Sequence, residues 1–154
     1  MIELQIEYDD RFERRIEAGK PFADTGIRMH VGDTVLAGTD DDFLVSEFVV
    51  TLCRKLCDAV EDIVAGRPVE VPFHATSYAW TFEPAGDGAV RVTSSSEEAS
   101  PPVERRALAE VLVQTAEELL AYIYDTNPRL EDHAQIKELR ESMAEAREIL
   151  DGNA

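Results

Sequence analysis

The chain has 154 residues, with 32 Asp plus Glu against 15 Lys plus Arg, and a formal net charge of −17. That length suits one domain whose core is large enough to need no disulfide or metal staple. It carries no basic stripe to neutralise phosphates, so nucleic-acid binding is excluded as an expected role.

The acid is spread along the chain. Residues 1–77 hold 16 acids and 8 bases, residues 78–154 hold 16 and 7, and only three of the bases are Lys. A disordered acidic tail would gather the charge in one place. An even, Lys-poor coat points instead to work in concentrated salt, where a Debye length of about 3 Å at 1 M screens self-repulsion. The competing reading is a functional acidic surface, such as a site for a basic partner or a nucleic-acid mimic, as an immunity-like or partner-mimic protein would carry. No apolar run approaches the length of a bilayer span, and "MIELQIEYDD" lacks the basic start and apolar stretch of a signal peptide. A reducing, cytoplasmic setting is therefore expected for the two cysteines.

Ile2, Leu4, Ile6 and Tyr8 alternate with Glu3, Gln5 and Glu7, which predicts a half-buried strand. Over residues 9–20, Phe12 and Ile16 are four apart behind a capping Asp9 or Asp10, and Gly19 and Pro21 follow. A short helix is preferred there over a hairpin return. Ile27, Met29 and Val31 then alternate, Gly32-Asp33 turns the chain, and "TVLAG" returns.

A long helix is expected from about Asp42 to Ala65, capped by Thr39 or one of Asp40–Asp42 and stopped at Gly66. Its polar stripe is narrow (Glu47, Thr51, Arg54, Asp58, Glu61, Asp62), so it reads as the central, mostly covered helix. Three strands follow in "PVEVPF", "SYAWTFE" and "AVRVTS". A second helix is expected from Ser100–Pro101 to about Asp125. Asn127-Pro128 breaks it, and a third runs over residues 129–150 with a thin seam of Ile136, Leu139, Met143, Ala146 and Leu150.

Cys53 and Cys57 are the residues that most invite a chemical reading. Four apart on a helix, their Cβ atoms lie about 5–6 Å apart, too far for an unstrained disulfide. Zinc would need two more ligands. The chain offers only His30, His74 and His133, each on a different element. Both cysteines fall with Val49, Leu52, Leu56 and Val60 on the apolar side, so core packing is expected. The acids of Thr39–Asp42 with Glu47 could hold a hard cation, but helix capping accounts for them without one. His74 beside Tyr78 and Trp80 is the one candidate general base, with no nucleophile motif near it. His30 reads as solvated, and His133 as the opening of a charged helix. Tyr78, Trp80 and Phe82 form an aromatic row, expected as a buried sheet face, with an exposed recognition strip as the alternative.

The expected architecture is a single α+β domain over 1–154: a mainly antiparallel sheet of five or six strands packed against a long central helix and two C-terminal helices. No catalytic, cofactor-binding or metal residues are assigned, and no cofactor. The leading functional expectation is a non-catalytic protein-interaction module, self-associating as a homodimer through the thin seam of the C-terminal helix, 129–154, or through the aromatic strip. A small enzyme using His74 with carboxylates or a bound cation is the second reading, and an acidic immunity-like protein the third.

Overall fold

The computed structural model describes residues 1–153 and is α+β. It contains two four-stranded antiparallel sheets rather than the expected one of five or six strands. The first comprises β1 (Ile2–Ile6), β2 (Asp24–Val31), β3 (Thr34–Leu36) and β4 (Val45–Phe48). The eight-residue β2 organises it. β1 pairs along one side, while β3 and β4 share the other side in tandem. The second sheet runs in simple order through β5 (Val69–Pro72), β6 (Ala79–Pro84), β7 (Ala89–Ser94) and β8 (Val103–Glu104). The helix α2 (Val49–Ala65) carries the chain from one sheet to the other. Each sheet therefore completes its pairing with strands close in sequence.

Residues 9–20 do form the preferred short helix, α1 (Asp10–Glu17). The Asp9 carboxylate accepts the Phe12 amide, and Phe12 and Ile16 are fully buried. The β2–β3 hairpin turns at Gly32-Asp33, with Gly32 at φ +61°. Gly26 within β2 has no room for a side chain, because a Cβ would lie 2.4 Å from the Cβ of Phe43.

The central helix starts seven residues later than its acids suggested. Thr39 does use its hydroxyl oxygen to accept the amides of Asp41 and Asp42, but the bonds close a turn. The stretch Val45–Phe48 then extends to pair with β2, where its apolar and aromatic residues suit a pleated surface. α2 ends as expected at Gly66, in the left-handed conformation at φ +77°. The second helix, α3 (Arg105–Thr126), is also displaced. Ser100 is buried and accepts the Val92 amide instead of capping a helix, and Val103–Glu104 pair with β7 before α3 begins. After a 3-10 turn at Pro128–Asp132, α4 (Ala134–Glu148) starts with His133 as its cap, Nδ1 accepting the Gln135 amide at 3.1 Å.

One apolar cluster threads both sheets and all four helices. α2 lies at its centre, packed against α3, α4 and strands of both sheets. Trp80 and Phe82 are fully buried in it and Tyr78 is half-buried, with the Phe73 ring edge-on to Trp80 at 4.9 Å. Trp80 and Phe82 thus form a core face of β6, with Tyr78 at its margin just before the strand. The seam of α4 is taken up as well: Ile136, Leu139 and Ala146 are buried against α2 and α3. No helix among the described residues is long and apolar enough to cross a membrane.

Candidate functional site

The residues that invited chemistry on paper are dispersed. Cys53 and Cys57 are buried thiols. Burial pushes both up, Cys57 to about 12 and Cys53 further, which keeps them protonated and poor nucleophiles. Among the described residues, no three His, Cys, Asp or Glu come together as a metal site would need. Asp40 and Asp42 lie on an exposed turn, and Glu47 is not with them. It belongs to β4 rather than to the helical stripe. Its fully buried carboxylate accepts the amides of Phe48, His74 and Ala75, at 2.9 Å for Phe48 and 2.7 Å for Ala75. Glu47 therefore fastens the β5–β6 loop to the end of β4. Sequence periodicity missed this role, because i,i+4 spacing had placed Glu47 on a solvated helix face.

His74 is exposed at the rim of a groove of about 560 Å³ shared with Phe22, Phe48, Arg54, Lys55 and Glu138. Its ring lies 5.7 Å from that of Phe48, and among the described residues its imidazole makes no hydrogen bond. The carboxylate of Glu138 is 3.9 Å from Arg54. His30 is half-buried, with Nδ1 4.0 Å from the Asp40 carboxylate.

A different feature emerges along β1. Glu7 donates its amide to Gly26 and Met1 accepts from Gly32, and the pairing runs unbroken between them. Antiparallel geometry then turns the odd-numbered residues of β1 towards β2. The N–H and C=O groups of Ile2, Leu4 and Ile6 point the other way. No partner takes them among the described residues.

Beside this edge runs a groove of about 510 Å³. Val111, Gln114 and Glu118 of α3 line one wall, and Gln5, Arg28 and Phe43 the other, with the Arg28 guanidinium 4.2 Å from the centre of the Phe43 ring. Exposed edges invite pairing with another chain, and proteins commonly blunt them with short strands, proline or lysine. The other edges here follow that rule. β3, β4 and β8 have three, four and two residues, and β5 ends in Pro72, whose carbonyl is held by Lys55 Nζ at 2.9 Å. β1 has five residues, no proline and no lysine.

Comparison with protein-family models, with curated proteins and with solved structures finds no match.

Proposed function

We propose that this protein is a non-catalytic interaction module that accepts an additional strand on the edge of β1. The carrying observation is the row of unpartnered backbone groups at Ile2, Leu4 and Ile6, left open while the rival edges are short or sealed. Strand addition supplies affinity through main-chain hydrogen bonds and selectivity through alternate side chains. Glu3 on one face of the edge and Glu118 on the α3 wall give an incoming strand distinct surroundings on its two faces. The acidic coat supports a molar-salt setting, where a Debye length of about 3 Å allows a chain of this charge to meet a partner closely.

The enzyme reading at His74 has less support. A general base is usually held by an orienting partner, whereas this imidazole has none among the described residues and its carboxylate neighbour lies against an arginine. The immunity-like reading needs the charge gathered into one patch, whereas the two halves of the sequence carry net charges of −8 and −9.

The test is a titration of isotope-labelled protein, at low salt, with a synthetic peptide of alternating valine and lysine. Amide signals of Ile2, Leu4 and Ile6 are expected to move and become protected from solvent exchange. Shifts confined to the His74 groove, or no shifts at all, would refute the reading.

A further inference from the structure

We infer that the strand received by β1 is β1 of a second copy, antiparallel and centred on Leu4. This rests on the reading of the β1 edge as the interaction surface, and it names the occupant.

The register follows from the outward groups. A two-fold axis at Leu4 sets Leu4 opposite Leu4 of the second copy, and Ile2 opposite Ile6 at both ends. Every outward N–H and C=O of Ile2, Leu4 and Ile6 then gains a partner. The side chains agree, because "IELQI" has the same apolar–polar order read from either end. Glu3 falls opposite Gln5 of the second copy, a carboxylate against an amide, as the two already pair within one chain. Leu4 and Ile6 are core residues of their own chain, so the apolar positions of both strands continue one buried layer.

The neighbouring registers are worse. An axis at Glu3 sets Glu3 against Glu3, and an axis at Gln5 sets Glu3 against Glu7. Each is a like-charge pair directly opposed across the strands, which is destabilising. The Leu4 register alone uses the whole strand and opposes no like charges along it.

The net charge of −17 on each copy dictates the conditions. Two such bodies repel at low salt, and the repulsion is screened as the Debye length falls from about 10 Å at 0.1 M to about 3 Å at 1 M. Association should therefore strengthen with salt, the reverse of a contact held together by ion pairs.

The experiment is sedimentation equilibrium of the full chain across that salt range, paired with cysteine cross-linking in molar salt. The dimer fraction should grow with salt. Ile2→Pro should abolish the dimer while the far-UV spectrum is retained, since it removes an amide that faces away from β2. In the Leu4 register, residues 3 and 5 of opposite copies form a close, non-hydrogen-bonded pair, with Cα atoms about 4.5 Å apart. A mixture of E3C and Q5C chains should therefore cross-link on oxidation, and E3C alone should not. A protein that stays monomeric in molar salt, or E3C chains that cross-link by themselves, would overturn the second-copy proposal. If the monomeric protein still shows the peptide-induced shifts at Ile2, Leu4 and Ile6, the occupant is a different chain and the interaction reading stands. If those shifts are missing too, both fall.

Discussion

The Glu47 carboxylate accepts the Ala75 amide at 2.7 Å from a fully buried position, 28 residues away along the chain. It also holds the amides of His74 and Phe48, so one side chain satisfies donors on two segments. Glu47→Ala would leave those donors without an acceptor, at a cost of about 3 kcal/mol. Urea denaturation in molar salt measures the cost, and faster amide exchange at His74 and Ala75 locates it. A change under about 0.5 kcal/mol, the range of ordinary surface substitutions, would show that the clamp contributes nothing.

The centre of α2 gives a sharper test of burial. Leu56 is completely buried, so Leu56→Ala should cost about 2–5 kcal/mol. Cys53→Ala should cost less, because a smaller side chain is removed. Neither thiol should react with an aromatic disulfide reagent in the native protein, and both should react on unfolding, given how far burial has raised them. Rapid native labelling of either cysteine would contradict the packing described for α2.

The two ends of the pH scale probe different contacts. Burial pushes the Asp24 carboxyl up, but the Ser46 hydroxyl and the Arg11 guanidinium outweigh it and hold it below its ordinary value. Its contribution is therefore present above the unfolded carboxylate value of about 3.9, and is lost as pH falls through the lower folded value. Asp24→Asn should flatten the acid limb of a stability–pH curve and lower its plateau.

Tyr78 works in the opposite sense. Burial, with the Glu98 carboxylate that its hydroxyl bonds at 2.7 Å, raises it to about 12. Its contribution is complete below the unfolded value of about 10, and declines as pH rises through the folded one. Tyr78→Phe should remove this alkaline sensitivity, read as the loss of a late phenolate step in an absorbance titration.

Salt should raise the thermal midpoint of the monomeric Ile2→Pro variant, because screening relieves repulsion within a chain of net charge −17. Using that variant separates the effect from any gain through association. A midpoint independent of salt would remove the salt-adapted reading.

Local pattern carried much of this architecture. Alternation in "MIELQIEY" marked β1, the Phe12–Ile16 spacing marked α1, and Gly32-Asp33 marked the hairpin. In each, side-chain periodicity and turn chemistry act over a few residues, so neighbours in sequence decide the outcome. The composition likewise fixes the charge, and the apolar spacing of Cys53 and Cys57 placed them inside.

Only the tertiary structure decided the rest. Thr39 and Ser100 carry capping chemistry, yet both helices begin later because a distant strand claims the intervening residues. The division into two sheets depends on β2 offering one side to both β3 and β4, which pairing reveals and alternation does not. Glu47 became a buried clamp because a loop near residue 75 brought its amides to it. The open edge of β1 has the same origin. Its sequence shows that it is a strand, but which backbone groups stay unpartnered is set by the strands and helices around it, and hydrogen bonding across space leaves no periodic trace in the chain.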